Sequence, residues 1–542
     1  MIRKIWIIAL LLTATLGVKA QEQLPPVIKG GCTPELEADA DDGVAAARAA
    51  RRVLPAVKTN WDPDKTYRQA VILVEFQNMA FRAEHPRETY DSIFNYPGYN
   101  GGVGPGCVAE YFQEQSGGLF NPQFDVFGPY KVPGKARLNE KATKDTKEYG
   151  TYQMAQAVEM WVNEDKARDH SVYDWDGNRS IDQVIFVFAG YAGNAGVDSL
   201  YGYLWPHTGE KFAVSSVVTY DDYTIAQCSA SCEMRTSKTS WGFGTICHEY
   251  THALGLPDIY PVGSSNAGYS VVDEWDLMDG GNYTNNGQCP PCLSGMERML
   301  LGWQTPIDLS EPTTITDMKP LSEGGPVYMV RHTDKEYYLL ENRQWTGWDA
   351  GLPGKGLIVV HVDYDAGKWS SNHVNETRNH RRYQLVPADN RDYDAWDEYL
   401  IKQRDQGLIT SQYLYSHRMN NFYMSEAAYP WKDKETGTVN DMLTDSSKPR
   451  SAMFNRNSTG STFLSKSITN IRVSEEGLVS FDFMGGDQTG IDELVHKENR
   501  PLCVVSVYDM GGRCLGSHLE SQRPGIYILR YSDGTTKKVV KK

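Results

Sequence analysis

Trp241 to Leu254 reads WGFGTICHEYTHAL, with no helix breaker after Gly244. The spacing predicts a helix, on which residues four apart share a face, so His248 and His252 can aim both imidazoles at one ion. Glu249 stands one position along, where its carboxylate can reach a water on that ion without being a ligand. Gly255 follows where a helix ends and the chain turns through a left-handed conformation. Such a turn can bring Asp258 back as third ligand. Two histidines, one carboxylate and an open fourth position are the donor set of a catalytic zinc site, not of a closed structural one. In that arrangement Glu249 is the expected general base, taking a proton from water and passing it to a leaving amine. The bland alternative is a buried helix with two hydrogen-bonded histidines; the glycine and the carboxylate that follow weigh against it.

Outward from this helix the chain reads as mixed. Arg68 to Phe76 (RQAVILVEF) and Gln183 to Ala189 (QVIFVFA) are strands by composition. Cys107 to Gln115 has helical spacing and ends at Ser116-Gly117-Gly118, and Phe120 to Val132 alternates as a strand or a hairpin. After Trp303 the pattern turns β-rich, with short runs at Val327 to Arg331, Glu336 to Leu340, Gly356 to Val362 and Leu478 to Met484. Residues 366 to 450 are more polar, with fewer clear strands. The expected organisation is α+β: a signal peptide (1–20), a pro-segment or surface arm (21–66), a catalytic domain (67–305), a β-rich domain (306–485) and a small C-terminal β unit (486–542).

The bulk numbers narrow the function. The chain has 542 residues and a net charge of −15, with no basic block before its last residues, which argues against a nucleic-acid partner. Arg3 and Lys4, the short apolar run Ile5 to Leu16 and Val18-Lys19-Ala20 form an export signal with cleavage expected before Gln21. The run is too short for a comfortable transmembrane span. Nine cysteines are few for this length, so disulfides are not the main source of stability. Cys32 stands apart in the early segment, where a thiolate can silence a metal site. Cys228, Cys232, Cys289 and Cys292, a CxxxC and a CxxC, read as disulfide cysteines in an exported protein, with their connectivity open. Asp174, Asp176, Asn178 and Asp182 place oxygen side chains at alternating loop positions that can wrap calcium, the reading favoured here over an Asx-rich turn. His207 is open between a substrate-carbonyl contact and a structural role. Sequons stand at Asn282, Asn375 and Asn457.

At these residues the chain resembles the immune inhibitor A family of bacterial zinc metallopeptidases. Besides the zinc helix, the likeness rests on Ala70 to Phe76 with Phe81, on Val108 to Phe120 (VAEYFQEQSGGLF) and on Trp275-Asp276-Leu277-Met278-Asp279. It continues through Leu301-Gly302-Trp303, Tyr337 to Gln344 and Gly356 to Asp363. The resemblance implies a zincin-like catalytic fold, endopeptidase activity on protein substrates and a methionine turn that puts Met278 beneath the ligand histidines. VYDMGGR, PGIYI and the closing KKVVKK resemble the C-terminal sorting domains of type IX secretion cargo, implying a small β-sandwich-like unit and export to the surface or medium. The competing reading is a surface adhesin or glycan-binding protein with an inactive or secondary peptidase domain, in which Trp345 and Trp348 stack on sugars. A hydrolase acting on a non-peptide amide shares the chemistry.

Overall fold

A computed structural model of the chain describes residues 54–99, 104–136, 151–193, 204, 206–209, 213–234, 240, 242–263, 270–410, 423–487, 504–531 and 536–541. The expected signal peptide, Cys32 and most of the expected pro-segment lie outside the described residues. The chain divides into two compact units, with the division after Gly486.

In the larger unit the first sheet is built from β1 (Thr66–Phe76), β2 (Asn121–Val132), β3 (Val184–Tyr191), β4 (His207–Gly209) and β5 (Cys228–Met234). Its order is β2-β1-β3-β5-β4. Strand β1 is parallel to β2 and β3, β3 is parallel to β5, and β4 alone runs antiparallel to its neighbour. Four helices accompany it: α1 (Pro86–Asn95), α2 (Val108–Gln115), α3 (Thr151–Glu164) and α4 (Gly244–Ala253). The near-continuous apolar run of β1 follows from burial on both faces. Val71 and Leu73 join Phe112 of α2 and Tyr250 of α4 in one core, whereas Ala70, Ile72 and Val74 join Met154, Val158 and Trp161 of α3 in another. The stretch read as a strand or hairpin is one strand. Its register against β1 shifts between Ile72 and Val74, where Gly128 (φ +88°) lies so close to Leu73 that a Cβ would meet the carbonyl oxygen at 2.8 Å.

The capped helix α5 (Gly295–Leu300) leads into β6 (Ile307–Asp308), β7 (Thr313–Met318), β8 (Val327–Arg331), β9 (Glu336–Arg343), β10 (Gly356–Asp363), β11 (Tyr383–Leu385), β12 (Ile468–Val473) and β13 (Val479–Phe483). They form two sheets, β11-β10-β9-β8-β6 and β12-β13-β7. The polar stretch also holds α6 (Ala366–Ser370) and α7 (Tyr393–Asp405).

The apolar core around α4 does not stop at residue 305. Tyr250 and Met278 share it with Leu339, Ile358, Val360, Tyr383 and Trp396. Buried Arg343 of β9 pairs with Asp349 at 2.7 and 2.8 Å and donates to the carbonyls of Cys292 (3.2 Å) and Trp275 (3.3 Å), the pairing a buried guanidinium requires. At the other end, residues 54 to 65 are packed into the same unit. Trp61 donates to the Leu301 carbonyl at 2.7 Å and its ring lies against Tyr67, Phe120 and Trp303.

The smaller unit is a three-stranded antiparallel sheet, β14 (Val504–Asp509), β15 (Gly525–Tyr531) and β16 (Thr536–Lys541), with Val507, Tyr527 and Leu529 as its core. The expected sandwich-like form would need a second layer. Among the described residues of this unit there is one three-stranded sheet. No helix among the described residues is long and apolar enough to cross a membrane.

Candidate metal centre

Helix α4 is buried along its whole length. Its start presses on a neighbouring loop so closely that a Cβ on Gly244 would stand 2.3 Å from the Asn282 carbonyl oxygen. Its end is a glycine turn: Gly255 has φ +102° and its amide donates to the His252 carbonyl at 2.9 Å. The turn returns the chain to the helix, and His248, His252 and Asp258 converge. The Asp258 Oδ1 stands 3.3 Å from His248 Nε2 and 3.0 Å from His252 Nε2. All three side chains are buried.

The other ring nitrogens are already committed. His248 Nδ1 lies 2.8 Å from the Leu277 carbonyl and His252 Nδ1 lies 2.7 Å from the Leu256 carbonyl. Carbonyls only accept, so both Nδ1 atoms carry the proton, and in the neutral rings both Nε2 lone pairs face the carboxylate. Two lone pairs and a carboxylate oxygen aimed at one buried point form the donor set of a divalent cation, with each histidine oriented by an outer hydrogen bond. The sequence-predicted ligands therefore fit a metal.

Leu277 belongs to the expected methionine turn. Met278 is fully buried, and its carbonyl accepts from the Ile259 amide at 2.8 Å, tying the turn to the loop that carries Asp258. Asp276 shapes the turn by accepting from the Met278 amide and the Tyr383 hydroxyl, each at 2.8 Å. Asp279 accepts from the amides of Val271, Val272 and Asp273 and from Ser270. Burial, and after it the charge of Asp273, pushes its carboxyl up to about 7. Tyr260 lies parallel to the His248 ring, 6.4 Å away.

Glu249 is buried next to His248 in the same helix. Thr208 of β4 places its hydroxyl 2.8 Å from Glu249 Oε2 and 2.7 Å from the Glu249 carbonyl. The sequence reading missed Thr208; its only signal was adjacency to His207, the residue that opens the same edge strand. It also missed Asn372, which touches Asp258 through both amide atoms. A lone asparagine in a polar stretch carries no local signal.

At the candidate calcium loop, carboxylate oxygens of Asp174, Asp176 and Asp182 lie within 4.8 Å of one another. Their hydrogen bonds are those of an Asx turn. Asp174 accepts from the amides of Gly177, Asn178 and Arg179. Asn178 Oδ1 accepts from the Ser180 amide at 2.8 Å, and Asp182 takes the Trp175 amide and the Lys58 ammonium. With Lys58 supplying the positive charge, calcium gains no support over the turn.

The expected disulfides are corrected. Cys107, Cys228, Cys232, Cys247, Cys289, Cys292 and Cys514 are all free thiols. Cys228 and Cys232 sit four apart on one strand, about 13 Å along its axis, far beyond the reach of a disulfide. Cys289 instead donates to the Trp348 carbonyl at 3.4 Å, and burial raises its thiol to about 11. Of the tryptophans offered for sugar stacking, Trp348 is buried and donates to Glu114, and Trp345 carries the Lys355 ammonium 5.0 Å from its ring centre. The sequon asparagines Asn282 and Asn375 are buried.

Two histidines of one helix and a returning aspartate form a group that could hold a metal ion, with a glutamate adjacent. Residues 61–302 match the family model described as immune inhibitor A peptidase M6, catalytic domain, and that segment is a metallopeptidase-type catalytic domain, a hydrolase. Among curated proteins the chain is similar to immune inhibitor A of Bacillus thuringiensis subsp. alesti, 25% identical over 208 residues, 34% of this chain and 30% of that protein. It is also similar to the pre-pro-metalloprotease PrtV of Vibrio cholerae, 24% identical over 282 residues, 44% of this chain and 28% of that protein. The chain thus spans less than a third of the length of these relatives.

Proposed function

We propose that this chain is an exported zinc-dependent endopeptidase of zincin-like fold that hydrolyses peptide bonds in protein substrates. The observation that carries the reading is the convergence of His248, His252 and Asp258 on one buried point, with both Nδ1 atoms committed to carbonyls and Glu249 alongside. Zinc held by those three residues would supply Lewis acidity, which polarises a carbonyl and brings the pKa of water to about 7.

Glu249 is the proton carrier. Its carboxylate takes the proton of the attacking water and delivers it to the leaving amine nitrogen, so that the C–N bond breaks to a carboxylate and a neutral amine. Thr208, hydrogen-bonded to Oε2, holds that carboxylate in one rotamer. Strand β4 ends the sheet among the described residues, and an edge strand next to the proton carrier suits an extended peptide added as a further strand. Export is supported by the pattern of residues 1 to 20 and by the C-terminal motifs that resemble type IX sorting signals.

The test is casein hydrolysis by the purified full chain before and after dialysis against a zinc chelator. Hydrolysis that is lost with the metal and restored by stoichiometric zinc is the expected result; undiminished hydrolysis by metal-free protein overturns the proposal.

A further inference from the structure

Helix α6 ends in a left-handed residue, as many helices do. That residue is Asn372, at φ +61° and almost fully buried. Asparagine is the non-glycine residue that tolerates this conformation best. The turn aims its amide across 114 residues of sequence at Asp258. Asn372 Oδ1 accepts from the Asp258 backbone amide at 2.6 Å, and Asn372 Nδ2 donates to Asp258 Oδ2 at 2.7 Å. One side chain therefore fixes both the backbone and the carboxylate of the third ligand. With Oδ2 occupied by a donor, Oδ1 is the oxygen left facing the two imidazoles.

The grip extends along the same loop. Asn375 Nδ2 donates to the Ile259 carbonyl at 2.8 Å and to the Tyr383 carbonyl at 2.9 Å. Glu376 Oε1 accepts from the amides of Val262 (2.7 Å) and Gly263 (3.0 Å). Asn372, Asn375 and Glu376 thus hold the loop from Asp258 to Gly263 at three points. All three lie about seventy residues beyond the end of the segment that matches the catalytic-domain model, residue 302.

We infer that Asn372, Asn375 and Glu376 of the β-rich segment are positioning residues that complete the metal site by clamping the loop of its third ligand. The inference rests on the zinc reading above. An aspartate offered from a loop without that clamp samples other rotamers, and part of its binding free energy is lost in ordering it.

The experiment is zinc affinity of the full chain, measured by competition with a chromophoric chelator, for the wild type, N372G, E376A and N470G. Glycine keeps the left-handed backbone while removing the amide. Asn470 is a second left-handed asparagine (φ +54°), exposed on β12, and its replacement controls for the backbone change. N372G is expected to weaken zinc about 10- to 100-fold, the effect typical of outer residues around metal ligands. E376A should weaken it severalfold and N470G should leave it unchanged. Zinc affinity of N372G and E376A within threefold of the wild type, which itself binds zinc, overturns the clamp and leaves the zinc reading standing. Should N372G fail to fold, E376A decides by the same criterion. Absence of zinc binding by the wild type removes the zinc reading, and this inference with it.

Discussion

Gly255→Ala tests whether the glycine turn is what brings Asp258 to the histidines. The φ of +102° lies outside the small left-handed region open to other residues, which costs an alanine about 1–3 kcal/mol. The new Cβ would also stand 2.6 Å from Val57 Cα, 2.8 Å from Val57 N and 3.0 Å from the Pro55 carbonyl oxygen. These are backbone atoms, so no rotamer change relieves the contact, and overpacking of this kind adds about 1–3 kcal/mol. The sum, about 2–6 kcal/mol, is a large share of the roughly 5–15 kcal/mol that holds a protein folded. The contact can be relieved in part by lifting residues 54 to 58, at the expense of the Lys58 amide bond to the Leu254 carbonyl and the Lys58–Asp182 ion pair. Gly98→Ala is the control, because Gly98 has φ +74° with nothing within 4 Å of its Cβ position; it carries the backbone term alone. Urea unfolding of the metal-free proteins, together with chelator competition for zinc, should show G255A less stable than G98A by about 1–3 kcal/mol and weaker for zinc. Equal midpoints for the two variants, with G255A matching the wild type in zinc affinity, would refute the reasoning.

Thr208→Val keeps the shape of the side chain and removes the hydroxyl bonded to Glu249. A hydrogen bond to a charged group is worth about 1.5–3 kcal/mol, so kcat should fall about 10- to 100-fold, with zinc content unchanged; steady-state kinetics at measured zinc stoichiometry reads this. For Glu336, burial raises the carboxyl, but His361 and the amides of Phe454 and Asn455 outweigh it and bring it down from 4.5 to about 2. A depressed carboxylate stabilises the fold above its unfolded value, near 4.5, and that contribution, up to about 3 kcal/mol, is lost as pH falls towards 2. Urea midpoints between pH 5 and 2.5 should therefore fall more steeply for the wild type than for Glu336→Gln.

Helix α4 and the return of Asp258 to its histidines were legible because their geometry is local. Four-residue spacing sets His248 and His252 on one face, and a glycine three positions on fixes where Asp258 returns. The strands β1, β3, β9 and β10 were legible because burial on both faces forces continuous apolar runs. Helix α7 escaped because its exposed faces are polar, although Asp392 as its cap and Tyr393, Trp396 and Leu400 as its buried stripe were readable signals. The cysteines misled because spacing says nothing of burial: all four are buried free thiols, and Cys228 and Cys232 share one strand, where a bridge between them is out of reach. Thr208 and Asn372 reach the site through tertiary folding, across 41 and 114 residues, and no window of sequence holds both partners. The division placed at residue 305 followed a change in composition, whereas the packing around Met278 follows shape and ignores it.

The most direct test of the central assignment is paired zinc analysis and peptide hydrolysis for Glu249→Ala. In the proposed function Glu249 moves a proton, while His248, His252 and Asp258 hold the ion. The variant should therefore retain about one equivalent of zinc while its hydrolysis collapses by about two to four orders of magnitude, the scale of general acid–base catalysis. Hydrolysis at the wild-type rate in zinc-replete Glu249→Ala would contradict the account.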